Sequence, residues 1–279
     1  MPRDLADVLH YFLPELDADS QPEARTLAPF APSRVHASDS STSRPLAADA
    51  PAFPLLGVPI GDSDVVKAAL LWNLAVETAR LGGRAIVLAP ASGAHTPLWP
   101  EAGVGPLGTE TILCQARDLQ ELTQTAADLA ISHAASAHRG GAIFVGVPTR
   151  WLATNGAQAD PIVWWLLMSS SNRNDLAESF DLAKAVRYLN SKAEVGVTIH
   201  GVTSVNEARC AFKHLSRLCQ TRLQLDLTSY GLLVDDLYVY RAIAAQRPIG
   251  LAHPQAPATR ALMDVARLLY EDARSRVLG

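Results

Sequence analysis

The chain has 279 residues, 48% apolar and 19% charged, with a formal net charge of −4. That length and apolar content can bury one large α/β core plus extensions, and the charge balance carries none of the basic excess that nucleic acid demands. Cys114, Cys210 and Cys219 show no CxxC spacing and no paired histidines, so they read as free buried thiols, and no metal centre is expected.

In the first segment, Asp4–Leu16, Leu5, Val8, Leu9, Phe12, Leu13 and Leu16 recur at helical spacing. Asp4 suits an N-cap, and Pro14 ends or kinks the helix near its close. The start MPRDLADVLHYFLPEL is too acidic and interrupted for a signal peptide. Two readings of this helix stay open. Either Leu5, Leu9 and Phe12 pack back onto the parent domain, or the face of Leu5, Val8, Leu9, Phe12 and Leu13 lies in a partner's groove. Asp4, Asp7, Glu15 and Asp17 argue against an anionic membrane surface.

The chain thus divides into a helical motif (1–20), a linker (21–52) and a globular body (53–279). The linker is rich in Ser, Pro and Ala with almost no apolar periodicity, a composition that stays disordered. The sheet pattern begins only at Phe53, so the body is expected to fold without residues 1–50.

Within the body, strands are predicted at Phe53–Val58, Arg84–Leu88, Thr111–Cys114, Ala142–Val147, Ile162–Met168, Val195–His200 and Thr221–Leu227, with an edge at Leu232–Val234. Helices are predicted at Val65–Leu81, Leu119–His138, Leu176–Ser191, Val205–Cys219, Leu237–Ala245 and Ala258–Ser275. Several strands are continuous apolar runs, as in a parallel sheet covered on both faces. The run IVWWLLM, Ile162–Met168, is too short to span a bilayer. Pro97–Gly108, with Trp99 between two prolines, reads as a surface loop. His133 and His138 fall off the i, i+4 spacing of a helical ligand pair.

The most telling stretch is GDSDVVKAALLWNLA, Gly61–Ala75, placed between a strand and a helix like a phosphate-binding loop. Such a loop needs glycines whose N–H groups turn toward the anion, a Lys for the outer phosphates and a hydroxyl for Mg²⁺. Here Val65 and Val66 precede Lys67, Ala68 and Ala69 follow it, and Asp62 and Asp64 sit where phosphate would. At roughly 5 Å and an effective dielectric near 20, each such pair of like charges repels by about 3 kcal/mol. Read alone, Lys67 is a solvated first-turn lysine.

Further on, Tyr230–Ile243 (YGLLVDDLYVYRAI) leads to Gln246–Leu262 (QRPIGLAHPQAPATRAL). This closely resembles the end of the MinD/ParA-type ATPase domain, with its Arg-Pro-hydrophobic turn, Pro-x-Ser-x-Ala-like segment and closing helix. Asn172–Lys184 (NRNDLAESFDLAK) resembles the family's segment after its fourth strand. The flagellar-number-regulator branch is the nearest match, and the resemblance covers roughly residues 53–270.

The resemblance implies a three-layer α/β sandwich with a mostly parallel central sheet, the P-loop NTPase fold. Aligning Asn73-Leu74-Ala75 with the family's Asn-Leu-Ala places Asp62 at the signature lysine, Ser63, Asp64 and Val66 at the glycines and Lys67 at the second lysine. Ala68 and Ala69 take the hydroxyl positions. Ala89-Pro90 ends the strand that should carry a catalytic aspartate, Gly146 or Val147 replaces the Walker B acid, and His200 replaces the adenine-reading asparagine.

These losses imply a pseudo-ATPase with no catalytic residues and no cofactor, ATP and Mg²⁺ included; Lys67 and His200 mark a degenerate nucleotide site. The expected role is a scaffold or regulator that recruits partners to an envelope or surface assembly such as a flagellum, pilus or polysaccharide secretion machine. The expected partners are a protein bound by the N-terminal helix and a second copy or a MinD-like protein in a dimer. The closing helix ends at YEDARSRVLG without a basic membrane segment, so no stable membrane insertion is expected. The expected location is the cytoplasm, with recruitment to the inner face of the membrane by a partner. The alternative is an atypical ATPase that uses Lys67, or a site completed by a partner.

Overall fold

A computed structural model describes residues 3–4, 53–93, 100–153 and 161–278. The predicted N-terminal face (Leu5, Val8, Leu9, Phe12, Leu13), the linker and Trp99 lie outside the described residues.

The elements run β1 (Leu55–Ile60), α1 (Val65–Arg80), β2 (Arg84–Pro90), β3 (Gly103–Val104), β4 (Glu110–Cys114), α2 (Leu119–Ser132), β5 (Gly141–Pro148), α3 (Thr149–Leu152), β6 (Trp164–Ser169) and α4 (Arg173–Leu189). There follow β7 (Glu194–Val202), α5 (Val205–Leu223), β8 (Leu227–Val234), α6 (Leu237–Ala244), α7 (Ile249–Ala252) and α8 (Pro257–Leu278). The eight strands form one sheet in the order β3-β4-β2-β5-β1-β6-β7-β8, parallel throughout except for β3 against β4. Helices α1 and α8 cover one face, while α2, α4 and α5 cover the other, which gives the three layers.

Apolar runs buried on both sides make the inner strands: β1, β5 and β6 are almost entirely enclosed. Short polar residues start the helices. Asp64, Asp118, Asn172, Ser204 and Asp236 each accept a hydrogen bond from an N–H of the first turn that follows. Pro59 survives in the central strand because β1 pairs with β6 only as far as Gly57. The Ile143 N–H bond to Pro54 O sets the alternation that turns the missing N–H of Pro59 toward that open side.

Three predicted elements differ from the structure. Residues Thr221–Leu223 continue α5, which stops at Gln224 in a left-handed conformation (φ 51°) with its N–H bonded to Cys219 O. The final strand is then a single run, Leu227–Val234; Gly231 at φ 93° and register irregularities against β7 produce the break the sequence suggested. The helix predicted over Leu119–His138 ends at Ser132, and Ala134–Arg139 is a 3₁₀ segment, which separates His133 from His138. In the Pro97–Gly108 loop, the described part holds β3 and a 3₁₀ turn, Pro106–Gly108.

Candidate nucleotide-binding edge

At the carboxyl ends of the parallel strands, four residues link β1 to α1. The turn is closed by Asp64 N–H to Gly61 O (3.0 Å) and Val65 N–H to Ser63 O (3.0 Å). The Asp64 carboxylate then folds over the head of α1. One oxygen accepts from the Lys67 N–H at 2.9 Å, and the other lies 3.3 Å from Lys67 Nζ. A helix N-terminus with a lysine beside it is a ready anion site. Here the anion it holds belongs to the chain.

Lys67 is therefore not the solvated lysine of the sequence reading: its side chain is only 12% exposed and is paired with Asp64. Asp62 is likewise engaged, in an ion pair with Arg150 of α3, whose guanidinium also lies 5.6 Å from the Trp151 ring. Arg150 escaped the sequence reading because 88 residues separate it from Asp62.

His200 lies near the end of β7 on the same edge as Lys67. Burial holds its pKa below the ordinary histidine value, helped by the Lys67 charge and opposed by Asp64 and Asp175. Its Nε2 is buried without a hydrogen-bond partner among the described residues. The adjoining cavity, bordered by Val66, Leu70, His200, Asp235, Asp236 and Tyr240, measures about 30 Å³. That is room for one water.

A second hollow, between Ile60, Gly61, Asp62, Ala89, Pro90, Gly146 and Pro148, is about 10 Å³. A Cβ added at Gly146 would already stand 3.4 Å from Ile60 Cδ1 and 3.5 Å from Ala89 Cβ, and Val147 is fully buried. The strand ends that face α1 are thus apolar and packed together.

The opposite rim, at the amino ends of β6–β8, is built otherwise. The Tyr230 hydroxyl donates to Asp272 at 2.6 Å and accepts from Trp164 Nε1 at 2.9 Å. Burial, with Asp272 adjacent, pushes the Tyr230 phenol well above its usual range. Asp272 is ion-paired with Arg3, whose guanidinium lies 5.3 Å from the Tyr230 ring. A cleft of about 810 Å³ opens beside this group, bordered by Arg187, Glu194, Asp226 and Arg276. Nothing in local sequence patterning marks these residues as a cluster.

No family model matches this sequence, and no curated protein matches it. Solved structures do. The MinD cell division protein of Aquifex aeolicus superposes with a TM-score of 0.57 at 14% identity, over 77% of this chain and 96% of that one. MinD of Pyrococcus horikoshii, complexed with Mg-ADP, gives 0.56 at 9% identity over 80% and 98%. The cell division ATPase MinD of Pyrococcus furiosus gives 0.55 at 12% over 78% and 99%. At such identities the likeness establishes the fold, that of MinD-type P-loop ATPases.

Proposed function

We propose that the chain is a non-catalytic MinD/ParA-like scaffold or regulator. The observation that carries this reading is the Asp64 carboxylate at the head of α1, bonded to the Lys67 N–H and beside Lys67 Nζ. It fills the anion site from within. A Mg-nucleotide does not fit the residues present. Ala68 and Ala69 offer no hydroxyl, Gly146 and Val147 offer no acid, and the hollow between the strand ends is too small for a metal with its waters.

On this reading the fold is retained for its surfaces. The apolar face of Leu5, Val8, Leu9, Phe12 and Leu13 recruits a protein partner, and the assembly served is an envelope or surface machine. Dimerisation with a second copy or a MinD-like chain belongs to the same reading. Among the described residues no helix is long and apolar enough to cross a membrane.

Calorimetric titration of the full chain with Mg-ATP is expected to stay flat to millimolar concentration. Micromolar binding that disappears in Lys67→Ala would overturn the reading in favour of an atypical ATPase.

A further inference from the structure

The short stretch Arg3–Asp4 is fixed on the body, far from the start of β1. The Arg3 carbonyl accepts from Ser229 N–H at 2.8 Å, on the open side of the edge strand β8. Its guanidinium is clamped by Asp272 and the Tyr230 ring, and Asp272 is itself held by the Tyr230 hydroxyl. These contacts determine where the chain must continue. Arg3 and Asp4 border a groove of about 340 Å³ between β8 and α5, floored by Phe212 and Leu227 and edged by Lys213 and Arg217.

On its α5 side the groove carries the positive charges of Lys213 and Arg217, while Asp4 and Asp226 also border it. Arg209, Lys213 and Arg217 recur every fourth residue along α5, one stripe of three like charges. Like charges at that spacing work against the helix that carries them. An acidic occupant with apolar side chains would offset the charge of Lys213 and Arg217. The residues that directly follow Asp4 have that character: Leu5, Leu9, Phe12 and Leu13 interleaved with Asp7, Glu15 and Asp17.

We propose that the β8–α5 groove is the seat of residues 5–17 of the same chain, with Arg3 as the anchor that sets their entry. Apolar side chains lie over Phe212 and Leu227, and the carboxylates face Lys213 and Arg217. A recruited partner would then compete with this groove for the segment. The seat stands independently of whether the nucleotide site is silent, and it is tested without any partner.

Carbodiimide treatment of the full chain, followed by peptide mass spectrometry, is expected to join the Lys213 amine to Asp7, Glu15 or Asp17 within one copy. Amides of residues 5–16 should exchange deuterium at least tenfold more slowly than in the free peptide of the same sequence. Lys213→Glu/Arg217→Glu should return them to the free-peptide rate while amides of β6 and β7 keep theirs. If charge reversal also loosens α5, Leu9→Asp/Phe12→Asp gives the same release with the body untouched. Free-peptide exchange in the natural chain would overturn the proposal. So would a Lys213 cross-link found only between isotopically distinct copies, which would assign the groove to a second molecule. Failure of partner capture would leave the seat standing, and loss of the cross-link would leave the recruitment reading standing.

Discussion

The two rims of the sheet have opposite characters. At the carboxyl ends of the strands, cavities shrink to about 30 and 10 Å³ and each loop carboxylate has a basic partner within the chain. At the amino ends of β6–β8 an 810 Å³ cleft stands open beside a Trp–Tyr–Asp network, buried at Trp164 and Tyr230, that grips Arg3. Ligand sites in open α/β sheets ordinarily lie outside the carboxyl ends of the strands. In this chain that end is filled by its own side chains, and the elaborated polar structure lies on the other.

The contrast can be broken most forcefully at Gly196. A Cβ there would stand 2.1 Å from Tyr230 Cε2, in a ring that cannot move without releasing Trp164 and Asp272. Gly196→Ala is expected to cost about 3 kcal/mol, a fall of roughly 6–12 °C in the thermal midpoint. An unchanged midpoint would mean that the Tyr230 network is soft.

A smaller effect is expected at the closed rim. Asp64→Ala removes the cap of α1 and the partner of Lys67, a loss of about 1 kcal/mol, or roughly 2–4 °C. Asp62→Ala should shift the midpoint less, since its pair with Arg150 is 45% and 42% exposed. Equal shifts would show that the two aspartates do the same job.

The smallest effect sharpens the comparison through pH. His200 has its pKa depressed in the folded state, so the unfolded chain binds this proton more readily and stability falls as pH drops below the ordinary histidine value near 6.5. One such proton can contribute at most about 1.4 kcal/mol per pH unit. His200→Gln should therefore lose less stability than the natural chain between pH 7 and pH 5 in parallel thermal melts. Superimposable pH profiles would show that His200 is solvated.

Much of the body was legible because fully buried strands advertise themselves as apolar runs, as in Phe144–Val147 and Trp164–Met168, and because polar caps mark the helix starts. Periodicity failed where backbone geometry decided the outcome. Gly231 breaks the pattern of β8 without breaking the strand, and His133 divides what reads as one helix. Lys67 stands in the first turn of α1 as the sequence suggests but is not solvated, since sequence spacing does not reveal that Asp64 folds back over it. The Arg3–Asp272 pair was beyond reach altogether: 269 residues separate the partners, and no local rule couples them.

The prolines that close β2 and β5 carry an evolutionary consequence. Pro90 and Pro148 border the hollow beneath the loop, and neither has a backbone N–H to offer an anion. On the reading proposed above, nucleotide chemistry would require glycines in the β1–α1 connection, a hydroxyl at Ala68 or Ala69 of α1, an acid on β2 and another on β5. The hydroxyl and the two acids would each place a polar or charged group among buried residues such as Ala68, Ala69, Ala89 and Val147, at a cost to the stability of the fold. On that reading the apolar strand ends oppose those three steps through folding itself.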